Sequence, residues 1–334
     1  MNKHDQLGPW VRRFLLEHLI KECNLSPNTQ YSYRDTLAML LPFVAEQLRK
    51  PLDCLEIGDL CGDHVRQFLN HIEQNRHVTV ATRNQRLAAI HSLARFIAEY
   101  SPQHVAWYGE IRTVPFKKTT RKLIPYLEKQ EVEAILTSPD RTTKVGQRNY
   151  ALLLFLYNSG ARVSEAADLC IADLDLGTSS HANASVRILG KGRKIRRCPL
   201  WPKTATELAN LLDGRSANEH VFINQRGEPL TRFGIYGMLQ ACVARASTLA
   251  PSLCSKGISP HTIRHSTATH LLRAGVDLNT IRSWLGHVSI DTTQVYAEID
   301  LEMKARALEK CNVGDVKKPT TAPDGTLMAF LRAI

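Results

Sequence analysis

Residues 259–275, SPHTIRHSTATHLLRAG, decide how the second half of this 334-residue chain is read. Ser259 followed by Pro260 is a helix start. The serine hydroxyl can accept from the unpaired N–H groups of the first turn, and proline's fixed φ suits the first helical position. Gly275 supplies the stop. Between them, His261, Arg264 and His265 fall at i, i+3 and i+4, hence on one helix face. A metal site, a solvated structural face and an anion site all compete for this cluster. His261 and His265 have the spacing of an H-x-x-x-H pair. However, Arg264 between them repels a cation, and no glutamate fills the position that H-E-x-x-H requires. Metal is therefore the weakest reading, and the other two stay open on local evidence.

Working outward, the flanks are helical too. DLNTIRSWLG reads as a helix stopped by Gly286, with His287 in the turn after it and Tyr296 nine positions on, in TTQVYAEI. EKQEVEAILTS and QRNYALLLFLYNSG read as helices, the second ended by Gly160. PKTATELANLLDG and TRFGIYGMLQACVARAS follow the same period. In SGARVSEAADL, Ser164 and Glu165 suit the cap and first turn of a new helix, which puts Arg162 beside a helix N-terminus where N–H groups and a guanidinium converge on an anion. Only residues 184–200, ASVRILGKGRKIRRCPL, change pattern, reading as two short strands around Gly190-Lys191-Gly192. That hairpin carries six bases (Arg187, Lys191, Arg193, Lys194, Arg196, Arg197) and no acid, and is either an ordinary solvated hairpin or, since hairpins usually mix charge signs, a DNA contact.

The N-terminal half is helical throughout. SPNTQYSYRDTLAMLLPFVAEQL opens with Ser26-Pro27 and buries Leu37, Leu40, Leu41, Val44 and Leu48 by helical spacing. CGDHVRQFLNHIEQN is a second helix. TVATRNQRLAAIHSLARFIAEY is a third, with Leu87, Ile90, Leu93, Ala94 and Ile97 on one stripe. Its other face, Arg83, Arg86, His91 and Arg95, is either solvated or laid on a phosphate backbone. RTVPFKKTTRKLIP, residues 112–125, is basic, free of acids and bracketed by prolines, and so reads as a linker between two DNA-facing halves. The expected organisation is an N-terminal helical domain over 1–111, a linker over 112–125, a catalytic domain over 126–311 and a tail over 312–334. The fold class is mainly α, with one small antiparallel hairpin or sheet.

Composition limits the function classes. Lys+Arg 43 against Asp+Glu 32 gives a net charge of +11, which favours polyanions as partners. No apolar run reaches the length of a membrane span, and MNKHDQLGPWVRRF lacks the apolar core of a secretion signal, so a cytoplasmic protein is expected. Eight scattered cysteines with no C-x-x-C pair argue against a zinc site or a disulfide framework.

Each cluster has an ordinary structural explanation alone; together they form a kit for metal-free phosphoryl transfer. Two arginines can grip non-bridging oxygens and stabilise the charge of a pentacoordinate transition state. A tyrosine can attack phosphorus and hold it covalently, a lysine can protonate the departing oxygen, and a histidine can move protons near neutral pH. In SGARVSEAADL, GKGRKIR, SPHTIRHSTATHLLRAG, LGH and TTQVYAEI, in that order, the chain resembles the tyrosine recombinases, the phage-integrase family that includes Xer-type resolvases. LSPNTQYSYRDTLAML and TRNQRLAAIHSLARFI resemble that family's helical core-binding domain.

The resemblance implies a site-specific DNA recombinase in which Tyr296 forms a 3′-phosphotyrosyl link and releases a 5′-hydroxyl. It makes Arg162 and Arg264 the phosphate-clamping arginines and Lys191 the general acid, with Lys194 as the alternative on the same hairpin. His261 is assigned to proton transfer and positioning, and His287 to a hydrogen bond with the scissile phosphate. Glu165 falls on a supporting acidic position, and His265 braces the site rather than reacting. Neither metal nor ATP is implied as a cofactor. The implied partner is double-stranded DNA bearing a recombination site, bound by a homo-tetramer that passes through a Holliday junction. Two alternatives differ in class: DNA relaxation of the type IB topoisomerase kind, and a DNA-binding accessory protein without catalysis.

Overall fold

The two longest described helices share one hydrophobic core, in the N-terminal half, and a second large core lies in the C-terminal half. The computed structural model describes residues 5–119, 125–177, 183–190, 192 and 194–286. The chain divides into two compact units, Met1–Lys122 and Leu123–Ile334.

The first unit is all helical. Helix α1, Leu7–Arg13, runs directly into a π-helical stretch, Phe14–Glu22. Helix α2, Pro27–Leu48, starts where Ser26-Pro27 predicts, although the Ser26 hydroxyl meets the Thr29 hydroxyl at 3.0 Å rather than a backbone N–H. Helices α3, Gly62–Asn75, and α4, Val80–Tyr100, follow, the latter capped by Thr79, whose Oγ1 accepts from the Thr82 N–H. A fifth helix, α5, Val105–Arg112, lies inside the stretch read as the end of the domain and the start of the linker. Leu37, Leu40, Val44, Val65, Phe68, Leu69, Leu87, Ile90, Leu93 and Ile97 fill the core.

The basic face expected on α4 is not a solvated face. Only Arg95 of its four members is exposed. Arg83 is buried and its Nη1 donates to the Pro115 carbonyl at 2.8 Å, while Asn84 brackets Lys117 through both its backbone groups. Helix α4 keeps one exposed stripe through Ala81, Gln85, Arg95 and Glu99, and Arg83 holds the 115–117 segment rather than a phosphate. Sequence periodicity misses this because a buried arginine with a carbonyl partner looks the same in one dimension as a solvated one.

In the second unit, α6, Lys129–Thr137, and α7, Lys144–Ser159, pack beneath a short α8, Val163–Ala167. The sheet follows, and it has three strands rather than two: β1, Leu174–Asp175, β2, Ser185–Leu189, and β3, Ile195–Pro199, antiparallel in that order. Val186 faces Cys198, and Leu189 faces Ile195. Val186, Ile188 and Cys198 point into the core, and burial pushes the Cys198 thiol up to about 12. Helices α9, Pro202–Leu212, α10, Arg232–Ala246, α11, Pro260–Arg273, and α12, Leu278–Leu285, complete the described part. Among the described residues seven cysteines are free thiols, and no helix is long and apolar enough to cross a membrane.

Candidate active site

Gly160 sets the first corner of the site. It ends α7 in the left-handed region, φ +58°, and a Cβ there would stand 2.5 Å from Leu285 Cδ2. Both the backbone sign and the contact demand glycine. The chain then turns into α8, whose N-cap is Arg162 rather than Ser164. Glu165, one turn on, accepts the Arg162 N–H at 2.9 Å through Oε2 and the Arg162 Nη1 at 2.7 Å through Oε1. With only five residues, and its leading N–H held by Glu165, α8 offers no helix-terminal anion site of the kind expected. The Arg162 guanidinium itself is a third exposed and supplies the positive charge at this corner.

Glu165 is almost fully buried and meets a second guanidinium, Arg196 of β3, whose Nη2 donates to Oε2 at 2.7 Å. Burial alone would raise its pKa. The bonds and charge of Arg196, with those of Arg162, outweigh burial and hold the carboxyl below its ordinary value.

The opening helix supplies the second corner. Ser259 Oγ accepts the Thr262 N–H, and Gly275 follows the helix end at φ +86°. Arg264 is only 2% exposed; its Nη1 donates to the Gly160 carbonyl and its Nη2 to the Leu285 carbonyl, each at 2.6 Å. One planar guanidinium thus ties the α7–α8 corner to the last turn of α12. Helix C-termini carry unpaired carbonyls and partial negative charge, so a buried arginine is well matched to that turn. His261, Arg264 and His265 do not share one environment. His261 is exposed, whereas His265 is 2% exposed within the core. Partial desolvation, then the charges of Arg264 and Arg162, lower the His261 pKa below that of a free imidazole.

The third corner is the end of α12. Asp277 caps its start, and Gly286 closes it at φ +66° as the sequence predicts. Arg196 Nε donates to the Trp284 carbonyl at 2.9 Å, and a Cβ on Gly286 would stand 3.1 Å from Arg196 Cδ. Lys191, His287 and Tyr296 lie outside the described residues. Lys194 is described and exposed, and its carbonyl accepts the Gly190 N–H at 2.8 Å.

Arg162, Arg264 and His261 are thus brought together electrostatically from two helices about a hundred residues apart in sequence. Arg196 is the residue that sequence reading grouped wrongly, as one of six bases facing DNA. Arg187, which stays exposed, pairs with Asp173 at 2.8 Å. Strand alternation carries the missed signal: Arg196 shares a face with Cys198 and Leu200, both buried, whereas Ile195 and Arg197 face out. Among the described residues no three His, Cys, Asp or Glu side chains cluster as metal ligands.

Residues 125–303 match the phage integrase family, and residues 12–99 match the phage integrase N-terminal SAM-like domain. The chain is 39% identical over 336 residues to the integrase/recombinase y4rC of Sinorhizobium fredii, covering 100% of both. It is 31% identical to the tyrosine recombinase XerC of Pelobacter propionicus, over 90% of this chain and 94% of that one. Its fold resembles that of the Tn1549 transposon integrase in complex with transposon right end DNA, at a TM-score of 0.66 and 19% identity, covering 91% of this chain and 99% of that chain. It also resembles the XerH site-specific recombinase bound to its difH substrate in a post-cleavage complex, at a TM-score of 0.63 and 23% identity, over 86% and 80% of the two chains.

Proposed function

The chain belongs to the phage integrase family of tyrosine recombinases and is a site-specific DNA recombinase, and we propose that Arg162, Lys191, His261, Arg264, His287 and Tyr296 carry its chemistry. In this reading Arg162 and Arg264 bind the non-bridging oxygens of the scissile phosphate. Tyr296 attacks phosphorus, the bond to the 5′-oxygen breaks, and Lys191 protonates that leaving oxygen. The Tyr296 proton passes toward His261, whose lowered pKa keeps the imidazole neutral at pH 7 and so able to accept it. His287 donates to the phosphate. The reverse attack by a 5′-hydroxyl of the partner strand rejoins the DNA, so the energy of the cut bond is kept in the phosphotyrosine and no ATP is needed.

One observation carries this reading: Arg264 bridges the Gly160 corner and the end of α12, so segments far apart in sequence meet on one guanidinium. The partner is duplex DNA bearing a recombination site; we propose a homo-tetramer acting on two such sites, in the cytoplasm where the chromosome lies.

A nicked suicide substrate carrying the protein's own site tests the assignment. Wild type should accumulate a covalent protein–DNA adduct that Tyr296→Phe does not form, and should exchange strands between two site-bearing DNAs. Relaxation of site-free supercoils without exchange would instead indicate the topoisomerase reaction. Binding with no adduct would leave an accessory role.

A further inference from the structure

Arg196 has the burial of a structural residue and the partners of an active-site one. Its side chain is 9% exposed on β3, and its guanidinium spans two elements of the site. Nη2 donates to Glu165 Oε2 at 2.7 Å, and Nε donates to the Trp284 carbonyl at 2.9 Å. Glu165 passes the first contact to Arg162 through two further bonds, of 2.7 and 2.9 Å. The residue after Trp284, Leu285, passes the second to Arg264 through its carbonyl, at 2.6 Å. Arg264 returns to Gly160, two residues before Arg162. The contacts close into a ring: Arg162, Glu165, Arg196, Trp284–Leu285, Arg264, Gly160 and back to Arg162. Arg196 is the member that joins its two halves across the sheet.

Two glycines mark how tightly it is held. A Cβ on Gly190 would stand 3.4 Å from Glu165 Oε1 and 3.5 Å from Arg196 Nη1, and one on Gly286 would meet the Arg196 side chain at 3.1–3.5 Å. The planar fork of an arginine fits this place because it can address a carboxylate and a carbonyl in fixed relative directions, which a lysine ammonium on a flexible stem cannot.

We propose that Arg196 is a positioning residue that sets the separation and orientation of the two clamp arginines, an inference that rests on the reading of Arg162 and Arg264 as the phosphate clamp. Among the described residues Arg196 bonds Glu165 and the Trp284 carbonyl, neither of them a group assigned to the reaction. Its effect passes through Glu165 to Arg162 on one side, and through the end of α12 to Arg264 on the other.

The test compares single-turnover cleavage of two suicide substrates, one with a normal scissile phosphate and one with a methylphosphonate there. The methyl group removes the negative charge that the clamp must neutralise. Arg162→Ala should lose cleavage on phosphate and recover much of the loss on methylphosphonate. Arg196→Gln should follow the same pattern, with a loss of about 10–100-fold on phosphate that shrinks on methylphosphonate, while DNA affinity stays within about twofold. Arg196→Lys, which keeps the charge but not the fork, should be impaired like Arg196→Gln. Wild-type cleavage by Arg196→Gln, or full rescue by lysine, overturns the inference. So does an equal loss on both substrates, or a fall in melting temperature accompanied by lost DNA binding, each of which would mark Arg196 as general structural support. If Arg162→Ala cleaves as wild type, the clamp reading itself fails, and the inference with it.

Discussion

At the scale of single residues, Arg264 and His261 show how one helix divides its labour. Arg264, proposed above to grip the scissile phosphate, also serves the fold, because its guanidinium satisfies two carbonyls that would otherwise be buried unpaired. Arg264→Lys should therefore lower single-turnover cleavage by about 100-fold or more and also lower the melting temperature, with DNA affinity nearly kept in a gel-shift titration. Equal losses in cleavage and binding would make it a simple DNA contact.

His261 gives a pH prediction with a definite sign. Its folded pKa lies below 6.5, so the neutral imidazole persists to lower pH than in a free histidine. In the DNA-free protein, an NMR titration of the His261 ring should therefore show a midpoint below that of a free histidine, and a midpoint above it would contradict the shift. Stability follows the same linkage. His91, His261 and His270 are all harder to protonate in the folded protein than in the unfolded chain. The unfolded state thus takes up protons first as pH falls through 6.5, and the melting temperature should drop across that window and level off below the folded values. Glu165 acts in a lower window. Its folded pKa is depressed from 4.5, so its stabilisation is present above that value and is lost as pH falls through the folded one.

At the scale of elements, the junctions were less legible than the helices they join. Apolar spacing, Pro at N1 and Gly at the stop place α2, α11 and α12 within a residue or two of where they form, whereas α7 ends at Gly160 as read but begins three residues before Gln147. Those signals are local, since they answer the unpaired N–H and C=O groups of helix ends. What the spacing does not carry is who sits opposite. Arg83 on α4 and Arg196 on β3 both read as solvent- or DNA-facing bases, yet both are consumed by partners about thirty residues away in sequence, Pro115 and Glu165. Gly160 is the sharpest case: its role as a helix stop was visible, but its contact with Leu285, 125 residues on, was not. Gly160→Ala should cost about 2–4 kcal/mol in urea unfolding, from left-handed strain plus displacement of Leu285, whereas a typical exposed C′ glycine costs about 1 kcal/mol. Arg83→Met should cost about 1–3 kcal/mol by leaving the Pro115 carbonyl unpaired.

At the scale of the whole molecule, charge and two separate cores frame the function. The net charge of +11 predicts DNA affinity that falls with salt, with a log–log slope of about −0.9 for each phosphate neutralised. Variants of exposed Arg197 or Lys194 should reduce that slope, whereas Arg83→Met, buried in its own core, should leave it unchanged. Cleavage should continue in excess EDTA, since arginines rather than a divalent ion are assigned the phosphate charge; strict dependence on added Mg²⁺ would sink that assignment.

The sequence by itself determined the helical class and the order of the motifs, which rest on periodicity, end signals and the identity of reactive side chains, and it carried the family through the resemblance of those motifs, all written one residue after another. It also made Arg162, His261 and Arg264 candidates for one site. Only the tertiary structure decided which bases are free to meet DNA and which are spent holding the protein together. It took Arg196 and Arg83 out of the DNA-facing set, and it gave Arg264 two carbonyl partners from distant turns. The physical reason is that an arginine's role is fixed by the acceptor it reaches at the end of a long side chain, and that acceptor is brought near only when the chain folds.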